Sequence, residues 1–305
     1  MRILLLGGDG FLGRHATAVL RSLPGATVLT AGRRPAHDLR LDLATAQAGP
    51  LGEELSALAP DVVVNFAGAV AGSAVKLAEV NARGPAVLCE ALALGAPTSR
   101  LVHIGSAGEY GVCAEGESLA EDADARPVGV YGATKLAGSL AVAGSPLDAV
   151  VLRVFNPVGP GAPVGSLPGR LAAELRRVLP EGNDGVITVG DLSAYRDFVD
   201  ARDVAEAVGL AVTADRPLPR VLNLASGNAL QVRSIAHGLA AVARFSGRFD
   251  ESGAGSERSA AVSWQQADVS AAERALGWRA RTGLGDTLRD LWLDTEEPTP
   301  APVVA

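Results

Sequence analysis

Tyr131 and Lys135 stand four residues apart in V-Y-G-A-T-K, a spacing that puts both on one face of a helix. A phenol with an ordinary pKa of about 10 is a poor base near neutrality, but a lysine ammonium beside it stabilises the phenolate. Such a pair suits proton transfer to a forming alkoxide. The same pair is also a common surface contact on helices, so its weight depends on what surrounds it.

A second group of residues suits a phosphate. Gly7, Gly10 and Gly13 follow the first apolar run and open a helix that starts at Phe11 and Leu12. Glycines let the backbone turn tightly and approach a pyrophosphate, while the unpaired N–H groups and dipole of the helix start favour negative charge. Strand, glycine loop and helix in that order are what a dinucleotide site requires. At the end of the second strand, where an acid would hold the adenine ribose of NAD, the chain reads T-A-G-R-R-P. Gly32 takes that place and Arg33 and Arg34 follow. A carboxylate that would repel a 2′-phosphate is then absent and two guanidinium groups that attract one are present, so NADP(H) is the expected cofactor. The alternative is two solvated arginines in a loop. Asp42 and Leu43, in R-L-D-L, are placed to close an adenine pocket, the carboxylate accepting from the exocyclic amine.

These residues need a framework, and the hydrophobic periodicity supplies one. Strands are expected at Arg2 to Leu6, Thr27 to Ala31, Val62 to Phe66, Leu101 to Ile104 and Ala149 to Phe155. Helices are expected at Phe11 to Leu23, Ala74 to Ala93 and Tyr131 to Ala143. This alternation predicts an α/β fold, a Rossmann-like doubly wound parallel sheet over residues 1–156. After Asn156 the chain is too dense in proline and glycine for a central strand or a helix. A helix at Arg170 to Leu179, a strand at Val186 to Val189, a helix at Ala201 to Ala214 and a strand at Val221 to Leu224 follow. The expected organisation is a nucleotide-binding domain rejoined by about 191–225, with a smaller substrate-binding subdomain from 157–190 and 226–295. The proline-containing tail 296–305 is expected to be disordered.

Composition narrows the partners. A formal charge of −7 gives no basic footprint for nucleic acid. The run Ile3 to Leu6 is too short for a signal-peptide core, and Val62 to Val75 is broken by Asn65, Gly68, Gly72 and Ser73 and falls short of the ~20 residues of a membrane helix. A cytoplasmic chain that binds no membrane is expected. Cys89 and Cys113 have no metal-ligand spacing and no metal is expected.

The glycine loop, N-F-A-G at Asn65 to Gly68, V-N-A-R-G around Asn81, S-A-G-E-Y-G from Ser106, the Tyr131/Lys135 pair and L-R-V-F-N-P-V-G-P-G from Leu152 occur in one order and spacing. In these the chain resembles the extended short-chain dehydrogenase/reductase superfamily, in its NAD(P)-dependent epimerase/dehydratase branch acting on nucleotide sugars, from Met1 to about Trp292. The resemblance implies Tyr131 as catalytic acid/base, Lys135 as the residue that lowers its pKa and holds the nicotinamide ribose, Ser106 as the hydroxyl that bonds the substrate oxygen, and Asn81 as the asparagine of the neighbouring helix. Ser106 read plainly ends a strand, and Asn81 read plainly bonds a helix carbonyl. Ala67 and Gly68 would let backbone approach the cofactor, Phe155 would border it, and Asn156 would sit near nicotinamide and substrate. Arg196, in S-A-Y-R-D-F-V-D, matches the family arginine on the substrate pyrophosphate; its alternative is a surface arrangement with Asp197 or a salt bridge to Asp200.

Related dehydratases resemble T-D-E-x-Y-G, in which a carboxylate eliminates water. Ala107 and Gly108 stand at those places, and Glu109, one position later, is expected to point elsewhere. With the NADP-type arginines this favours reduction of a keto-sugar nucleotide, a 4-keto-6-deoxyhexose. An epimerase, a reductase of a non-sugar ketone and a non-catalytic NADP-sensing or scaffold protein are the alternatives. Two apolar helices, Ala74 to Ala93 and Tyr131 to Ala143, suggest a homodimer through a four-helix interface.

Overall fold

A computed structural model describes residues 1–182, 184–253 and 262–294; the tail expected to be disordered lies outside them. Seven strands form the main sheet among the described residues: β1 (Arg2–Leu6), β2 (Thr27–Gly32), β3 (Leu39–Arg40), β4 (Val62–Asn65), β5 (Arg100–Ser106), β6 (Ala149–Val154) and β7 (Val221–Leu224). They run parallel in the order β3-β2-β1-β4-β5-β6-β7. The order reverses between β1 and β4, where a doubly wound sheet opens its ligand crevice at the carboxyl ends of the strands.

The central strands carry the apolar runs Ile3 to Leu6, Val62 to Val64 and Ala149 to Leu152 because both faces of the sheet are buried there. Ile3, Leu5, Val64 and Val102 enter one core with Ala16 and Leu20 of α1 (Phe11–Ser22) and Val204 and Val208 of α7 (Ala201–Thr213). Their neighbours Leu4, Leu6, Val63 and Leu101 enter the other core with Leu51 and Leu55 of α2 (Ala48–Leu58) and Leu88 and Leu92 of α4 (Gly84–Gly95). A separate cluster draws on the second half of the chain. It joins Leu171 and Leu175 of α6 (Leu167–Val178), Ile235 and Leu239 of α8 (Arg233–Ala243) and Leu288 and Leu291 of α10 (Leu284–Leu293).

The helix expected over Ala74 to Ala93 is not one helix. A short α3 (Ala74–Ala78) passes into a π-helical turn, Glu79–Arg83, before α4 begins. Pro85 supplies the reason. It has no N–H for the Asn81 carbonyl four residues back, and its ring clashes with that carbonyl in a regular α-helix, so the turn widens. Helix α5 (Val130–Ala143) lies close to the expected bounds. Helices α2, α8, α9 (Ser270–Leu276) and α10 escape the sequence reading, α2 because Gly49, Pro50 and Gly52 break its pattern. No helix of the described residues is long and apolar enough to cross a membrane.

Candidate active site

The glycine loop rests on contacts that a side chain would destroy. Gly7 holds a φ of 74°, and a Cβ there would stand 2.7 Å from the Ala67 amide nitrogen. A Cβ on Gly13 would collide with the Gly7 carbonyl. Gly10 is the N-cap of α1 and brings no capping side chain, and the first turn carries no acid. The unpaired N–H groups of the helix start therefore stay available to an anion, as a dinucleotide pyrophosphate needs. Phe11 and Leu12 are half-buried at the start of the helix.

The opposite wall of the crevice is the end of β4. The Ala67 amide donates to Asn65 Oδ1 at 3.0 Å, and Asn65 Nδ2 donates to His103 Nδ1 on β5 at 3.2 Å. Sheet register sets this up, pairing Asn65 with both Leu6 and His103. His103 is wholly buried with no partner at Nε2. Burial, reinforced by the Lys135 charge, holds its imidazole well below the usual range and so neutral. Sequence reading missed His103, whose strand position carries no distinctive signal.

Four of the implied catalytic residues meet on this wall. Lys135 is buried, and its Nζ donates to Ile104 O at 2.5 Å. A Cβ at Gly68 would stand 3.5 Å from Asn81 Oδ1 and 4.0 Å from Lys135 Nζ, so the N-F-A-G loop runs directly over both. Burial lowers the Lys135 pKa, and the Glu109 charge partly restores it. Asn81 clamps the loop twice, accepting from Ala69 N and donating to Ala69 O, each at 2.8 Å, and also donates to Thr134 Oγ1 of α5 at 3.3 Å. Its plain reading, a local bond to a helix carbonyl, is not what its side chain does. At the N-terminal turn of α5, a Cβ at Gly108 would lie 3.5 Å from both Ser106 Oγ and the Tyr131 ring. The hydroxyl and the phenol thus flank one small residue.

Ser106 is the last residue of β5, and its hydroxyl oxygen accepts from Gly108 N at 3.1 Å. Glu109 completes the turn from behind. It is wholly buried, accepting from Ser106 N and Ser139 Oγ at 2.8 Å each and pairing with Arg153 at 2.8 Å. Its carboxylate faces inward, away from the Gly108 surface, and Ala107 and Gly108 have no proton to exchange.

At the cofactor's expected ribose end the sequence reading needs a correction. Gly32 does end β2, but a Cβ there would meet His37 Nε2 at 2.5 Å, so the His37 imidazole occupies the space above it. His37 Nε2 lies 3.2 Å from Asp9 Oδ2, and Arg34 Nη1 reaches the same oxygen at 3.3 Å. A carboxylate therefore is present, delivered by the glycine loop instead of β2. Arg33 is exposed.

Other expected residues are placed differently. Asp42 spends Oδ1 on Ala44 N at 3.0 Å, within its own turn. Leu43 and Phe155 are core residues, Leu43 with α4 and Phe155 wholly buried against Tyr110. The Phe155 ring has no surface to offer a cofactor, because the strand end turns it inward. Asn156 takes a φ of 24°, uncommon for a residue with a side chain, and donates to Asp197 O at 2.8 Å and Gln265 Oε1 at 3.3 Å. Gln265 in turn donates to Ala107 O at 3.1 Å, tying the site to the C-terminal half. Arg196 is buried, donating to Tyr195 O at 2.7 Å and Val262 O at 2.6 Å, while Asp197 is committed to Ser226 and Gly227 and Asp200 to Arg202.

Among the described residues no cluster of His, Cys, Asp or Glu could hold a metal ion. The arrangement can bind a dinucleotide phosphate at one end and present a phenol, a hydroxyl and a buried ammonium at the other.

Comparison with known proteins bears on the family and the fold. The chain is 36% identical over 302 residues to a dTDP-6-deoxy-L-talose 4-dehydrogenase (NAD(P)(+)) of Kitasatospora kifunensis, covering 95% of this chain and 94% of that one. Its fold matches the structure of RMD from Pseudomonas aeruginosa complexed with NADPH at a TM-score of 0.82 and 23% identity, over 96% and 98% of the two chains. It also matches MoeE5 in complex with UDP-glucose and NAD at a TM-score of 0.80 and 28% identity, over 97% and 98%. With residues 3–225 matching its model, the chain belongs to the NAD dependent epimerase/dehydratase family, a branch of the extended short-chain dehydrogenases/reductases.

Proposed function

We propose that the protein reduces a nucleotide-linked 4-keto-6-deoxyhexose with NADPH, with Tyr131 as the proton donor. The observation that carries this reading is the convergence of Tyr131, Ser106 and the buried Lys135 at the carboxyl end of β5, beside the Gly68 loop. A bound nicotinamide supplies the hydride to the carbonyl carbon. Ser106 holds the carbonyl oxygen, Tyr131 gives it a proton, and Lys135 stabilises the phenolate left behind. Ala107 and Gly108 leave the site without a carboxylate for dehydration. The name of the Kitasatospora relative supports C4 chemistry on a deoxyhexose, since dehydrogenation there is the reverse of this reduction. Residues from 157–190 and 226–295 would cover the sugar nucleotide, with Asn156 beside the sugar and Arg196 at the pyrophosphate end. The working unit is a homodimer.

A second reading, epimerisation with retained NAD, is favoured by the Asp9 carboxylate at the ribose end. One experiment separates them: NADPH oxidation followed in absorbance against freshly prepared nucleotide-4-keto-6-deoxyhexoses. Stoichiometric oxidation is expected. Tyr131→Phe should lower turnover by roughly 10²- to 10⁴-fold, the usual worth of a positioned acid, with NADPH affinity retained. Substrate isomerised without net oxidation, or full activity in Tyr131→Phe, would overturn the proposal.

A further inference from the structure

We propose that Asp9, through its shared contact with Arg34 and His37, sets the balance between NADP and NAD, holding the ribose hydroxyls of one and competing with the 2′-phosphate of the other. This rests on the dinucleotide reading of the site. The geometry carries it in two independent ways. Gly32 carries no acid, and the His37 imidazole stands in the space a Cβ there would enter, so the usual place for a ribose-binding carboxylate is filled by a nitrogen base. The carboxylate arrives from another element, with Asp9 Oδ2 within 3.2 Å of His37 Nε2 and 3.3 Å of Arg34 Nη1.

Asp9 follows Gly8 in the loop whose N–H groups face the pyrophosphate, so it stands between the phosphate end and the β2 end of the same nucleotide. Its side chain is about half exposed, at 49%, and has room to turn. Ribose hydroxyls are donors, and an ionised carboxylate accepts from both. A 2′-phosphate only accepts, and it would draw on the Arg34 guanidinium and on His37 Nε2–H, the two groups Asp9 now occupies. NADP must therefore displace Asp9 from its partners, whereas NAD can use the carboxylate where it stands. A chain with this arrangement accepts both nucleotides and prefers NADP only moderately. Arg33 and Arg34 alone would suggest a much stronger preference.

Calorimetric titration of NADP⁺, NAD⁺, 2′,5′-ADP and 5′-AMP into the wild-type protein, Asp9→Asn and Arg34→Ala tests this without turnover. Asp9→Asn is expected to tighten NADP⁺ and 2′,5′-ADP about fivefold, the size of one unit-charge interaction at about 4 Å in a water-like dielectric, and to weaken NAD⁺ and 5′-AMP. Arg34→Ala should weaken the two ligands that carry a 2′-phosphate and leave the other two nearly unchanged. Equal shifts of all four ligands in Asp9→Asn, or no shift, would overturn the inference while leaving the reductase reading standing. The expected shifts in a protein that turns over no keto-sugar would uphold the inference and remove that reading. Failure of the wild-type chain to bind any of the four would remove both.

Discussion

His103 of β5 and Lys135 of α5, whose Nζ bonds the next residue of that strand, lie in a region that excludes water, and that exclusion governs their ionisation. Between its depressed folded value and the ordinary imidazole value of about 6.5, His103 is neutral when folded and protonated when unfolded. The unfolded state then binds the extra proton, so stability is complete above pH 6.5 and declines as pH falls, by up to about 1.4 kcal/mol per pH unit. His103→Gln keeps an acceptor for Asn65 and removes the titration. Its thermal midpoint is expected to fall less steeply between pH 6.5 and 4.5 than that of the wild type, and parallel curves would count against the assignment. Glu109 is buried in the same region and acts through its contacts. Its carboxylate holds Ser106 N, Ser139 and Arg153 without exposure to water, so Glu109→Ala would strand a buried guanidinium at a cost of about 3–5 kcal/mol. A urea midpoint within error of wild type would exclude that role.

The π turn before α4 is the element that brings Asn81 to the site. Freed from Pro85, the Asn81 carbonyl turns toward α5, where only a glycine fits, because a Cβ on Gly138 would collide with it. Gly138→Ala must therefore push α5 from the turn that holds the Ala69 loop. Overpacking of this kind costs roughly 1–3 kcal/mol, and the displacement should also weaken cofactor binding. Gly49→Ala is the control, since a Cβ there meets nothing within 4 Å. Comparable urea midpoints for the two variants would show that the helices give way freely. The sequence carries one sign of this turn, a proline inside an otherwise helical pattern, but the close approach of α5 is not local information.

For the molecule as a whole, apolar side chains left in the open point to association. Leu94 on α4 is 68% exposed, Leu140 on α5 61% and Val75 on α3 67%, on the helices expected to pair with a second copy. Light scattering is expected to give the mass of two 31.0 kDa chains, and Leu140→Glu to shift it toward one. A monomer at tens of micromolar would end the dimer proposal.

What the sequence determined by itself is the part of the protein written in short-range patterns. Apolar runs buried on two faces, three glycines between a strand and a helix, and Tyr131 four residues before Lys135 all follow from backbone periods that repeat within a few residues. The tertiary structure alone decided which side chains those elements bring together. Asp9 meets His37 and Arg34 across a gap of 25 or more residues, Asn81 reaches Ala69 and α5, and Glu109 and Phe155 turn into the core. Such meetings depend on where loops from separate strands end in space, and no local period encodes that. The Asp9 carboxylate shows the consequence: the end of β2 has no acid in sequence, yet the fold delivers one there.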